Sequence, residues 1–308
     1  MTIASIKSLA NTFKNYLQKK FKRPKYLHEI HPCFTTDDYF QKLFSKNRNF
    51  ASLTFEEGLT AGEFKDIKYV IKIHPKNLIE SFVYLKGGWE THLIDLISSY
   101  LNERESTFID IGANIGATSI PLAKYHPQTD FQLFEPHPLL FKNLCDNISF
   151  NKLSNVTAHN FAITNSSEKS LPFYAQKNSD NLGLSSFKKN YDIDEHDVID
   201  VKCLSIDDAF EKHNVPIRVI KIDTQGSELQ VLLSAKNTIK RYKPVIFFEF
   251  ESEYFEDKSE EKMTKDNILN LLTGLDYELY MLSAEQVFFP KVNLSSYFHG
   301  EIIAVPKA

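Results

Sequence analysis

The chain has 308 residues, 42% of them hydrophobic and 25% charged, which is ordinary for a soluble globular protein and enough for one large core with a sizeable extension. A formal net charge of -4 supplies no basic field, so no nucleic-acid partner is expected. Cys33, Cys145 and Cys203 are far apart and show no Cys-x-x-Cys or zinc spacing, which reads as reduced thiols in a cytosolic protein. No apolar run approaches a membrane span. Lysines scattered through the first segment leave no clean apolar stretch for a secretory signal, and a cytoplasmic location is expected.

Ile3, Ile6, Ala10, Phe13, Leu17 and Phe21 recur at helical spacing and predict a first helix. Seven basic residues between Lys7 and Lys25 decorate it, with no acid before Glu29. Its apolar face is expected to pack on its own domain. The lesser alternative lays residues 1–25 on the inner face of an anionic membrane or on a protein partner. Residues 50–86 alternate as strands do, through Phe64, Ile67, Tyr69, Ile71 and Ile73 and then Phe82, Val83, Tyr84 and Leu85. Residues 1–84 are thus expected as an N-terminal extension of helix and strands, ahead of a domain over 85–308.

After Gly87-Gly88, Trp89–Leu101 has helical spacing. Strands and helices then take turns. Thr107–Ile111 is a strand, with a helix to Tyr125. Phe131–Phe134 is a strand, Leu139–Phe150 a helix and Val156–Phe161 a strand. Residues 165–200 are polar and turn-rich, suited to hairpins and a loop. Arg218–Ile222, Val245–Phe250, Tyr277–Leu282 and Ile302–Val305 are strands, and Ser227–Ile239 and Lys265–Leu275 are helices. This alternation predicts an α/β, Rossmann-like, mostly parallel sheet with helices on both faces, binding ligands at the carboxyl ends of its strands. Pro121 is tolerable if Ser119 caps the helix and the proline falls in its first turn.

The strongest local signal is Phe108-Ile109-Asp110-Ile111-Gly112-Ala113-Asn114-Ile115-Gly116. A buried strand runs into a turn in which Gly112 and Gly116 let backbone approach a ligand, with Ala113 and Asn114 between them. Asp110 at the strand end can hold a cationic amino group. Glu135, at the end of the next strand, can accept from both hydroxyls of a ribose. NAD and S-adenosylmethionine (SAM) both carry that ribose. The dinucleotide fingerprint, however, needs a middle glycine to bring a pyrophosphate to the helix N-terminus. Here the spacing is Gly-x-x-x-Gly behind an aspartate, which suits the ammonium of SAM better.

Val219-Ile220-Lys221-Ile222-Asp223-Thr224-Gln225-Gly226-Ser227-Glu228-Leu229 is a third strand-turn-helix. Asp223 would project at the carboxyl edge, near a transferred methyl group. Glu228 would sit in the first helical turn, where the helix dipole alone could explain it.

Together these three stretches, followed by Pro244-Val245-Ile246-Phe247-Phe248-Glu249, resemble the FkbM family of SAM-dependent methyltransferases. The resemblance covers roughly residues 85–306. It implies a class I methyltransferase sheet of seven strands with the last antiparallel. It also implies O-methylation of a sugar, a glycan precursor or a hydroxylated natural product. Members often read Lys-x-Asp-x-Glu-Gly where this chain has Lys221-Ile222-Asp223-Thr224-Gln225-Gly226, so Gln225 is given no acid–base work. Ala162 is placed at the adenine end, and Asn165, where members often carry an acid, is given no role. The segment Trp89-Glu90 would cover the methionine end, with Glu90 either binding its ammonium or standing as an exposed acid at a helix N-terminus.

Asp223 is expected as general base, with Glu228 as the second candidate. Asp223 and Glu249 could hold Mg²⁺, but two carboxylates at a sheet edge beside polar groups is the preferred reading, and no metal site is expected. His92, His137, His196 and His299 read as turn or surface residues. The alternatives are an NAD-dependent oxidoreductase and a non-catalytic SAM-binding protein.

Overall fold

A computed structural model describes residues 58–73, 79–80, 83–84, 87–101, 105–176, 182–187, 196–255, 257–282, 288–289 and 300–307. The expected basic helix and Cys33 lie outside the described residues. The elements run β1 (Gly58–Phe64), β2 (Ile67–Ile73), α1 (Thr91–Tyr100), β3 (Ser106–Ile111), α2 (Ser119–Tyr125), β4 (Thr129–Phe134), α3 (Pro138–Phe150), β5 (Val156–His159), β6 (Ala162–Ile163), β7 (Ser170–Gln176), β8 (His196–Leu204), α4 (Ile206–Ala209), β9 (Ile217–Ile222), α5 (Glu228–Ser234), α6 (Lys236–Tyr242), β10 (Val245–Phe250), α7 (Lys258–Gly274), β11 (Tyr277–Leu282), β12 (Phe288–Phe289) and β13 (Gly300–Pro306).

The central sheet has the order β12-β11-β13-β10-β9-β3-β4-β5. β3, β4, β5, β9 and β10 are parallel, whereas β13 runs antiparallel to both β10 and β11. Setting aside the two-residue edge strand β12, the sheet has seven strands with the last one reversed, as the resemblance implied. The chain winds outward from β3 to β5, then returns to β9 on the other side of β3. That reversal opens a crevice at the carboxyl ends of β3 and β9.

The strands are apolar on both sides because both faces are covered. Phe108, Phe131, Leu133, Val219 and Phe247 point to one cluster, with Leu93 and Ile97 of α1, Ile120 of α2 and Leu144 of α3. Their neighbours Ile109, Ile111, Phe134, Ile220 and Phe248 point to the other, with Val231 of α5, Ile239 of α6 and Ile268 of α7. The period of two along each strand sorts the residues between the faces.

The sequence expectations are refined at four places. Val83 and Tyr84 are helical, so the alternation read over Phe82–Leu85 is not a strand there. Pro121 does fall in the first turn of α2, but Thr118 is the cap, and the Ser119 hydroxyl is spent on Asp110. The helix expected over Ser227–Ile239 breaks at Ala235, because Asp207 of α4 caps a new helix by accepting from Asn237 N (3.0 Å) and Thr238 N (2.7 Å). In the turn-rich region after β5, the described residues Ser170–Gln176 and His196–Leu204 are strands of the three-stranded sheet β6-β8-β7.

The hairpin β1–β2 is bound to the domain through side-chain amides. Asn151 Oδ1 accepts from Val70 N (2.9 Å), and Asn147 Oδ1 accepts from Lys72 N (2.7 Å). One helical turn along α3 matches two residues along β2, so successive asparagines satisfy an otherwise open strand edge. Asn147 also donates to Ile115 O (2.9 Å), which ties the hairpin to the turn after β3. Asn147→Ala leaves both backbone groups unpaired and is expected to cost about 2–3 kcal/mol in denaturant unfolding. Asn147→Asp keeps the acceptor for Lys72 N but sets a buried carboxylate against the Ile115 carbonyl, and should cost at least as much at neutral pH. A loss below about 0.5 kcal/mol for Asn147→Ala would mean that the link to β2 contributes little.

Candidate functional site

β3 ends at Asp110-Ile111, and Gly112 turns the chain at φ +83°. A Cβ on Gly112 would lie 1.9 Å from the carbonyl oxygen of Asp223, and one on Gly116 would lie 2.8 Å from Ile120 and Leu144. The glycines are therefore required for chain-on-chain packing, not only for the ligand approach expected from the sequence. Gly112 and Asn114 line the cleft; Ala113 and Gly116 do not.

Asp110 also differs from expectation. It is buried and does not line the cleft; Oδ2 accepts from the Ser119 hydroxyl, and Oδ1 lies 3.4 Å from the Lys221 ammonium. The amino group it holds is the protein's own. Lys221 also reaches Asp223 Oδ2 at 3.3 Å. Burial opposes the charge on Lys221, but the carboxylates of Asp110, Asp223 and Glu90 outweigh it and hold the ammonium protonated well above the usual lysine range.

Glu135 is buried at the end of β4. Its Oε2 accepts from Asn114 N and its Oε1 from His137 N, both at 2.8 Å. Each oxygen keeps a further acceptor direction, which fits a pair of ribose hydroxyls. Burial pushes its carboxyl up to about 7, against the pull of the two backbone donors. His137 is a buried cap: its Nδ1 accepts from Leu139 N (3.2 Å) and Leu140 N (3.4 Å) at the start of α3.

The loop after β9 presents Asp223 half-exposed to the cleft. Lys221 holds Oδ2, and Gln225 Nε2 donates to Oδ1 at 2.9 Å. Glu228, expected as a second base, lies elsewhere. It is buried outside the cleft, and its Oε1 accepts from Thr224 N (3.3 Å), Thr224 Oγ1 (3.1 Å) and Gly226 N (3.1 Å). Its carboxylate ties the turn that carries Asp223, and the residue does not line the cleft.

The cleft has a volume of about 250 Å³. Glu90, Glu135, Asp223 and Glu249 line it, and no Lys, Arg or His does so among the described residues. Ala162 lines it too, whereas Asn165 is exposed and does not. Glu90 adopts a left-handed conformation (φ 42°) at the cap of α1. Burial pushes its carboxyl up to about 8, and Asp223, Glu301 and Glu249 add to the rise. Burial likewise pushes Glu249 up to about 8, helped by Asp223, Glu251 and Glu301. Glu301 stands opposite Glu249 on β13 and lies 3.4 Å from His92. Among the described residues no group of three or more His, Cys, Asp or Glu side chains is arranged to hold a metal ion. None of their helices is long and apolar enough to cross a membrane.

Sequence reasoning missed much of the wall. Phe161, Phe173, Leu182, Ser185 and Phe187 come from the region around β6, β7 and β8, and Tyr254 from the turn after β10. Lys221 carried a readable signal, a charge inside an apolar strand, which asks for a buried partner.

Residues 110–279 match the sequence profile of the methyltransferase FkbM domain. The chain belongs to this family of SAM-dependent methyltransferases. It is 28% identical over 144 residues to Methyltransferase 1 of Beauveria bassiana (strain ARSEF 2860), covering 42% of this chain and 57% of that protein. The methyltransferase FkbM structure from Methylobacillus flagellatus KT aligns with a TM-score of 0.40 at 17% identity, over 66% of this chain and 44% of that one. M. jannaschii TYW2 in complex with AdoMet aligns with a TM-score of 0.37 at 17% identity, over 82% of this chain and 87% of that one. The chain thus spans less than two thirds of the first two of these relatives.

Two outcomes are expected of this FkbM site. Lys221→Met leaves the Asp110 carboxylate buried without its cation and should cost about 3–5 kcal/mol, with Asp110→Asn restoring part of the loss; unchanged unfolding would show the ion pair to be idle. Binding of S-adenosylhomocysteine, followed by the fluorescence of Trp89, the chain's single tryptophan, should strengthen from about pH 6 to about pH 8 as Glu135 loses its proton and can accept from the ribose. Glu135→Gln should weaken binding at the upper end of that range; a variant that keeps full affinity there would remove Glu135 from the site.

Proposed function

We propose that the protein is an O-methyltransferase that transfers the methyl group of SAM to a hydroxyl of a sugar, a glycan precursor or a hydroxylated natural product. The observation that carries this reading is Asp223: a half-exposed carboxylate in the cleft, held on both oxygens by Lys221 and Gln225. In the same reading Glu135 holds the ribose, Ala162 lies at the adenine end and Glu90 faces the methionine ammonium. A cleft lined, among the described residues, by four carboxyl groups and no Lys, Arg or His favours a cationic cofactor and disfavours the pyrophosphate of NAD.

The cofactor supplies a methyl group already activated by a cationic sulfur, which departs as a neutral thioether. The protein's part is to align and to exclude water. Trp89, Phe173, Phe187 and Tyr254 give the cleft apolar walls that suit the non-polar face of a sugar ring. As the acceptor oxygen bonds to the methyl carbon, its proton passes to a free lone pair of Asp223. We place the boundary of the N-terminal extension at residues 84 and 85 and the enzyme in the cytoplasm, acting on a small-molecule or glycan acceptor and not on nucleic acid. For the lysine-rich residues 1–25, contact with a membrane surface or a protein partner is the lesser alternative to packing on the domain.

Asp223→Asn preserves shape and removes basicity. With methyl-labelled SAM and a panel of glycosides and polyols, it should slow transfer by about 10²–10⁴-fold while binding S-adenosylhomocysteine normally. Turnover within a few-fold of the parent would remove Asp223 as the base. Label found on nitrogen or carbon of the acceptor would remove the hydroxyl.

A further inference from the structure

The half-exposed base is supported by a chain of hydrogen bonds that starts on another strand. Tyr254 lies in the turn Ser252–Tyr254 that follows β10. Its hydroxyl donates to Gln225 Oε1 at 2.7 Å, and Gln225 Nε2 donates to Asp223 Oδ1 at 2.9 Å. Gln225 itself sits in the left-handed region at φ 55°, where a side chain other than glycine needs support. Its main chain has that support: the Ser186 hydroxyl donates to Gln225 O at 2.9 Å.

We propose that Tyr254 and Gln225 are positioning residues for methyl transfer, acting through Asp223; this rests on Asp223 being the base. The chain has only one sense. An ionised carboxylate can accept and not donate, so the amide must turn its NH₂ toward Asp223. The amide oxygen then faces Tyr254, which must be the donor. Burial, followed by the nearby Glu249 and Asp223 carboxylates, keeps the phenol protonated far beyond neutral pH, so the donor is always available. Lys221 fixes the other oxygen, and the carboxylate is left with one rotation and one open lone pair on each oxygen for the incoming proton. The glutamine at position 225 thereby acquires a use that a carboxylate there could not have, since an acid would repel Asp223 instead of donating to it.

The test does not depend on knowing the acceptor. In protein labelled with ¹⁵N at glutamine side chains, the Gln225 NεH₂ signal is assigned by its disappearance in Gln225→Leu. Tyr254→Phe and Asp223→Asn should each shift that signal, while S-adenosylhomocysteine binding by Tyr254→Phe stays within about twofold of the parent. A Gln225 signal unmoved by Tyr254→Phe would overturn the proposal. So would loss of S-adenosylhomocysteine binding in Tyr254→Phe, which would make the residue a prop for the whole cleft. With an acceptor in hand, Tyr254→Phe should lower kcat roughly tenfold at unchanged KM for SAM, and should add nothing in the Asp223→Asn background. Additive losses would overturn action through Asp223. A shifted signal together with full turnover of Asp223→Asn would sink the base assignment alone and leave the hydrogen-bond chain standing.

Discussion

A buried ammonium must be matched, and the match for Lys221 organises this protein. Lys221 and Asp110 are register partners on adjacent parallel strands, β9 and β3. Their ion pair fixes how those strands meet at the point where the chain reverses across the sheet. Asp110 draws in the Ser119 hydroxyl, which anchors the start of α2. The remaining reach of Lys221 goes to Asp223, so the same cation that holds the sheet together steadies the carboxylate that faces the cleft. Gly112 completes the arrangement, because only a residue without a Cβ lets the Asp223 carbonyl come so near.

Much of this architecture was legible in the sequence because it rests on local signals. Val245–Phe250 and Tyr277–Leu282 are short apolar runs, and they fold as strands with those bounds. The residues that line the cleft at Gly112, Glu135 and Asp223 could be placed from the rule that α/β sheets bind at the carboxyl ends of their strands. What stayed hidden depends on partners distant in sequence. Nothing local says that Asp207 will cap a helix thirty residues on, or that Glu228 will turn inward to tie its own loop. Asp110 illustrates the limit well. Its place at the strand end was readable, but its partner is Lys221 and not a ligand, and only the pairing of β3 with β9 reveals that.

The aromatic wall was invisible for a different reason. Phe173 and Phe187 come from a polar stretch whose pattern matches hairpins without saying over what they fold. The β7–β8 sheet buries little of its own, with Phe173, Ala175 and Val201 in a small cluster with Ala162. A sheet that small gains stability by leaning on the domain, and the cleft is where its aromatic residues meet the ends of the parallel strands.

The acids of the cleft carry a cost that needs a reason. Glu249 and Glu301 face each other across antiparallel strands, an arrangement that repels when both are ionised. Burial, with the neighbouring carboxylates adding to it, holds the protons on Glu90 and Glu249 to about pH 8. Near neutrality the cleft therefore stores protons in place of counter-charges. A cationic ligand entering it would take over that neutralising role, and the stored protons would leave as it bound. Neutral or anionic ligands offer no such exchange and would meet the carboxylates either protonated or repelling. In the function we propose, a sulfonium in the cleft then needs no dedicated contact to sulfur, because the cleft holds more carboxyl groups than Lys221, already shared between Asp110 and Asp223, can balance.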